Sequence, residues 1–281
     1  MEELPVRMSG YVEPRSRRGY VDTSVGQIHY RTVGEGRPLV LLHQTPSSSV
    51  MWERFMKSFP DHYRLVAFDS PGFGMSDEPS QPLTMADFAA TIFEAMSQLS
   101  IDSAMILGHH TGASIAIEMA RQDRSRVSGL VLMGPFAPPT ATQLQWWKNL
   151  VHRWQPDAKG EFLAEAVLPR LNSVAGESDA QEYLSELIAH LQAGPNYWWA
   201  YDAVFAYQMA AVATEIEVPT LVLTGERELP DQEEMARLVH SLIVQSKYAV
   251  VLGGTSQMVS QIPERVRDIV VPFIDGVLGL N

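Results

Sequence analysis

Six short apolar runs punctuate the chain: LVLLH (39–43), RLVAFDS (64–70), AMILGHH (104–110), GLVLMGP (129–135), TLVLTGE (220–226) and YAVVLGG (248–254). Each is continuous rather than alternating, the pattern of strands covered on both faces. Between them, apolar positions recur with helical spacing over 48–58, 84–99, 111–122, 230–244 and 263–274. Pro230 and Pro263 suit a first helical turn. Strand alternating with helix predicts a mainly parallel, doubly wound α/β sheet. The stretch YVDTSVGQIHYRTVG (20–34) alternates polar and apolar and turns at Gly26. It predicts an antiparallel hairpin at the sheet edge, which brings the sheet to eight strands.

One segment breaks this rhythm. From 137 to 217 there is no strand signal, and TQLQWWKNLVHRW, QEYLSELIAHL and GPNYWWAYDAVFAYQMAAVA read as helices. The expected organisation is a core of 1–136 and 218–281, with 137–217 inserted between strands 6 and 7 as a helical cap. The insertion is rich in aromatic residues. Most should pack within the cap, while Trp146, Trp147 and Trp198 are expected to line a cavity and favour an apolar or aromatic ligand.

Composition narrows the function. The 281 residues are 46% hydrophobic, enough for one large core. With 33 acidic against 21 basic residues, the formal net charge is -12. Such a surface disfavours nucleic acid and anionic membranes as partners. No apolar run approaches the ~18 residues of a membrane span, and the first residues carry no apolar signal segment. A soluble, cytoplasmic protein acting on a small molecule is expected. The absence of cysteine excludes disulfides and thiol catalysis.

In open α/β sheets ligands bind beyond the carboxyl ends of the strands. Those ends carry His43-Gln44, Asp69-Ser70, His109-His110, Glu226 to Glu228 and Gly253 to Ser256. The segment LGHHTGA (107–113) has glycines flanking a central His110 at a strand-to-helix junction.

The order of these motifs resembles the α/β-hydrolase family. LLHQTPSSSVMW is similar to its oxyanion loop, FDSPGFGMSD to its Asp-x-Pro-Gly-x-Gly-x-Ser turn, and LGHHTGA to its nucleophile elbow. LTGERELPD matches the segment bearing the acid, and LGGTSQMVSQIPERV the final segment, where Gly-Gly-His is usual. The resemblance runs from about Gly19 to Leu278. It implies an α/β-hydrolase fold with a mostly parallel eight-stranded sheet, flanking helices and a helical cap. It also implies that His110 stands in the nucleophile's place. Thr255 falls where the catalytic histidine belongs, and no histidine follows it. Glu228 falls at the acid, with Glu226 and Asp231 as near alternatives. The N–H groups of Gln44 and Thr111 would form the oxyanion hole.

Two of three triad positions are thus replaced, so ordinary serine acyl transfer cannot run. An imidazole at the elbow has three possible roles: general base on water, direct nucleophile, or hydrogen-bond partner of a ligand. The first is preferred, because it needs only one repositioned proton acceptor, and an ordinary imidazole titrates near neutral pH. His43, Ser47, Thr255 and Ser256 are expected to contact substrate, although His43 and Ser47 also suit packing and helix-capping roles. His109 is expected to point away from the cavity. Adjacent residues diverge, so no metal site is expected, and no cofactor. The leading expectation is an enzyme that hydrolyses an ester, lactone or activated carbon–carbon bond of a small hydrophobic carbonyl compound. The alternatives are a lyase or decarboxylase using the same pocket, and a non-catalytic binding protein in which His110 fills a lost nucleophile's space.

Overall fold

The computed structural model describes residues 16–151, 153–169 and 180–280. The first fifteen residues, on which the absence of a signal segment was read, and part of the inserted segment (152 and 170–179) lie outside these. Eight strands form one sheet: β1 Arg17–Thr23, β2 Gly26–Val33, β3 Arg37–Leu42, β4 Tyr63–Phe68, β5 Ala104–His109, β6 Val127–Met133, β7 Thr220–Gly225 and β8 Ser246–Val251. Their spatial order is β1-β2-β4-β3-β5-β6-β7-β8. β1 and β2 make the expected edge hairpin, and β2 joins β4 antiparallel. Every other pairing is parallel.

The continuous apolar runs have a simple cause. Successive strand side chains point to opposite faces. Leu39 and Leu41 enter one apolar layer with Trp52, Phe55, Val266 and Val270. Val40 and Leu42 enter the other, with Phe88, Ile92, Ala113 and Ala116. Both faces are covered, so no polar alternation survives.

The helices that provide this cover are α1 Glu53–Ser58, α2 Met85–Gln98, α3 Thr111–Gln122, α8 Gln232–Leu242, α9 Met258–Gln261 and α10 Pro263–Leu278. α1 is preceded by a 3₁₀ turn, Ser49–Trp52, whose cap is the Ser48 hydroxyl. Thr84 and Asp87 close a reciprocal capping box on α2, which satisfies two of its orphan N–H donors. Pro263 opens α10 as expected. The helix expected from residue 230 starts at Gln232 instead. Asp231 sits at φ 61°, outside helical conformation, which leaves Pro230 in the preceding turn. No described helix is long and apolar enough to cross a membrane.

Between β6 and β7 the described residues hold α4 Ala141–Asn149, α5 Ala180–Gln192, α6 Trp198–Ala206, α7 Met209–Ala213 and a π-turn, Leu163–Val167, but no strand. These helices lie against the carboxyl end of the sheet. Phe136, just past β6, meets Trp147 of α4 edge-on at 5.6 Å and Phe205 of α6 at 5.5 Å. The Tyr201 hydroxyl of α6 donates to the carbonyl of Thr45, just past β3.

Candidate active site

The turn from β5 into α3 is held by close backbone packing. A Cβ on Gly108 would come 2.1 Å from the Gly112 carbonyl oxygen, and one on Gly112 would come 2.2 Å from that of Leu42. Only glycine fits at either place. The packing forces His110 to φ 49°, ψ -107°, a conformation that costs a non-glycine residue of order 1–3 kcal/mol. The strain is fixed by the His110 N–H bond to the Met133 carbonyl (2.9 Å). The imidazole is lifted over Gly134, where a Cβ would stand 2.9 Å from its Cε1.

His110 has a carboxylate partner. Its Nε2 lies 3.5 Å from Glu228 Oε1, with side-chain exposures of 15% and 2%. The carboxylate only accepts, so Nε2–H donates in any hydrogen bond between them. Glu226, by contrast, accepts from the Gly253 N–H (2.8 Å), and Asp231 is exposed at the start of α8. Of the three candidate acids, only Glu228 reaches the elbow.

The loop after β3 is built as tightly. The His43 Nε2 accepts from the Ser70 N–H (2.9 Å), which leaves Nδ1–H to donate to the Gln44 carbonyl (2.7 Å). Burial pushes the His43 pKa below the ordinary imidazole value, against the opposing pull of Asp69. Asp69 accepts from the Ser49 N–H (2.6 Å), the Met75 N–H (2.9 Å) and His29 Nδ1 (2.8 Å). Burial alone would raise its pKa; these bonds and the neighbouring His43 override it and hold the carboxyl at about 2. The backbone around Gln44 is therefore fixed. Thr111 opens α3, so its N–H is one of the donors that a helix leaves unpaired.

Gln44, His110 and Thr111 line a cavity of about 370 Å³. Its far wall is apolar and aromatic, with Phe136, Trp146, Trp147, Tyr201 and Phe205. Ser256 and Gln257 line the side near β8.

A family model of the alpha/beta hydrolase fold matches residues 37–166. The (E)-2-((N-methylformamido)methylene)succinate hydrolase of Acinetobacter baylyi is 27% identical over 258 residues, 88% of this chain and 94% of that protein. The thermophilic esterase of Thermogutta terrifontis superposes with a TM-score of 0.78 at 23% identity, covering 93% of this chain and 99% of its own. The enol-lactonase of Burkholderia xenovorans gives 0.76 at 20%, covering 91% and 99%. The chain has the alpha/beta-hydrolase fold. The eight-stranded, mostly parallel sheet and its flanking helices are those the sequence led us to expect.

Several site expectations need correction. His43 does not face the cavity; both its nitrogens are spent on the loop. Ser47 is fully buried outside the cavity lining. Trp198 is half-buried and does not line the cavity; the Arg153 guanidinium lies 3.7 Å from the centre of its ring. The Thr255 hydroxyl accepts from the Gln257 N–H (3.0 Å) and donates to Gln261 (2.8 Å), so Ser256 rather than Thr255 presents itself at the cavity. His109 does not diverge from His110. The two rings lie 4.5 Å apart, and nitrogens of both, with a Glu228 oxygen, fall within 4.8 Å of one another. His109 is fully buried, and neither of its nitrogens has a hydrogen-bond partner. Burial, and then the neighbouring His110, hold its pKa well below the ordinary value. These three residues are the group that could hold a metal ion among the described residues.

Sequence reasoning missed Glu186 and His190, which also line the cavity. The available signal was their four-residue spacing on α5, which puts both on one helical face. Trp154 donates from Nε1 to His190 Nε2 (3.3 Å).

Proposed function

We propose that this chain hydrolyses an ester, lactone or activated carbon–carbon bond of a small, largely apolar carbonyl compound, with His110 as general base. The carrying observation is an imidazole raised on a strained turn, 3.5 Å from a buried carboxylate and open to an aromatic-walled cavity. Residues 137–217 act as the cap that encloses the substrate.

The Glu228 carboxylate, 3.5 Å from Nε2 without a hydrogen bond to it, favours the ring proton on that nitrogen by its charge, so the lone pair of His110 is on Nδ1. Nδ1 takes a proton from water as the water oxygen attacks the carbonyl carbon. The oxygen of the tetrahedral intermediate gathers negative charge and is met by the N–H groups of Gln44 and Thr111. Donors placed for that charge contribute large rate effects even without a complete triad. Collapse breaks the bond to the leaving group, which regains the proton from Nδ1. The aromatic wall holds the substrate's apolar end, and Ser256 hydrogen-bonds beside the carbonyl.

The deciding experiment is turnover of aryl esters, lactones and β-diketones in ¹⁸O-labelled water by wild type and His110→Ala. Label in the carboxylic product, lost with His110→Ala, is the expected result. Turnover without label would sink hydrolysis in favour of lyase chemistry.

A further inference from the structure

The base mechanism leaves one feature unused. Both nitrogens of the fully buried His109, Nε2 of His110 and Oε2 of Glu228 are buried without hydrogen-bond partners. Nearly all buried polar atoms in folded proteins are paired. Here the four orphans belong to three neighbouring residues.

We propose that His109, His110 and Glu228 form a binding site for a divalent transition ion of the zinc class, and that filling it switches the hydrolytic base off. Two imidazoles and one carboxylate are a donor set that such ions take, with the fourth position left open. The three ligand atoms lie within 4.8 Å of one another. Neighbouring ligands of a tetrahedral zinc ion are about 3.4 Å apart, given bonds of about 2.1 Å. His110 Nε2 and Glu228 Oε1, at 3.5 Å, already have the spacing. The ion would satisfy His109, which no protein group does.

The switch follows from the tautomer and rests on the base mechanism proposed above; the binding itself does not. Without metal, Glu228 keeps the ring proton of His110 on Nε2. An ion on Nε2 displaces that proton to Nδ1. The proton is retained by the ring, none is released, and the Nδ1 lone pair that would accept a proton from water is gone.

The test is calorimetric titration of EDTA-stripped full-length protein with Zn²⁺, and visible absorption with Co²⁺. One ion per chain is expected at micromolar affinity or tighter, with the intense Co²⁺ bands of a four- or five-coordinate site. His109→Asn and Glu228→Gln, from separate elements, should each weaken binding by about a hundredfold or more, since even outer partners of a metal ligand are worth 10–100-fold. The exposed His62→Ala should bind as wild type. Thermal unfolding checks that each variant is folded, and Glu228→Gln stands alone if His109→Asn is not. Absence of saturable binding by the folded wild type, or wild-type affinity in folded His109→Asn, overturns the site. Zinc should also inhibit hydrolysis with the dissociation constant seen calorimetrically. Binding without inhibition overturns the switch. A chain that binds zinc but hydrolyses nothing when metal-free keeps the site and removes the base mechanism instead.

Discussion

His43 follows β3 and His109 ends the neighbouring parallel strand β5, and both are buried. They differ in what surrounds them. His43 has a partner on each nitrogen, within one loop and its neighbour. His109 has none on either. A buried imidazole with both partners is a structural strut: its hydrogen bonds fix the Gln44 backbone. A buried imidazole with neither contributes no hydrogen bond to folding, so its polarity needs another explanation. The difference separates residues that build the scaffold from residues held ready beside His110.

That comparison can be broken in several ways. The largest expected effect is at the elbow. His110→Ala should lower kcat/KM by about a thousandfold or more, within the range of general-base catalysis, while substrate still raises the melting temperature. Unchanged kcat/KM would move the chemistry elsewhere in the cavity. Glu228→Gln removes the charge but keeps the shape; kcat should fall roughly 10–100-fold with little change in KM, measured by steady-state kinetics on the same substrate.

The two buried histidines come next. His43→Ala strands the Ser70 N–H and the Gln44 carbonyl, and should destabilise the fold by about 2–4 kcal/mol in urea unfolding. His109→Leu breaks no hydrogen bond and should change metal-free stability by less than about 1 kcal/mol. A large loss at His109 would erase the contrast.

The pH dependence of stability reads both buried histidines at once. Both His43 and His109 stay neutral in the folded chain below the ordinary imidazole value. The unfolded chain takes up protons there that the folded chain refuses, so stability falls as pH drops below about 6.5, by up to about 1.4 kcal/mol per pH unit for each histidine. It is regained above that value. Denaturant midpoints between pH 7 and 5 check the slope, and a flat profile would show that both rings take up a proton in the folded chain.

Much of this was legible in the sequence. Strands covered on both faces leave unbroken apolar runs, and the elbow betrays itself through Gly108 and Gly112, which nothing larger can replace. What stayed hidden depends on side-chain competition across distant segments. Glu228 could not be told from Glu226 until the β7 and β8 ends were seen laced together, with Glu226 occupied by the Gly253 N–H. Thr255 looked like the cavity residue until Gln257 and Gln261 claimed its hydroxyl. Trp198 resembles its neighbours in sequence but pairs with the Arg153 guanidinium instead of lining the cavity. His109 was misjudged because adjacency suggests divergence, whereas the strained backbone at His110 brings both rings to the same side.

The packing of Gly108 against Gly112, and of Gly112 against Leu42, has an evolutionary consequence. The contorted backbone at position 110 is enforced by its neighbours, not by the side chain it carries. Position 110 is thus a socket: the reagent plugged into it can be exchanged while the wiring around it stays in place. One mutation there changes the reaction on offer without asking the rest of the sheet to refold, which lets new chemistry be tried at little structural risk.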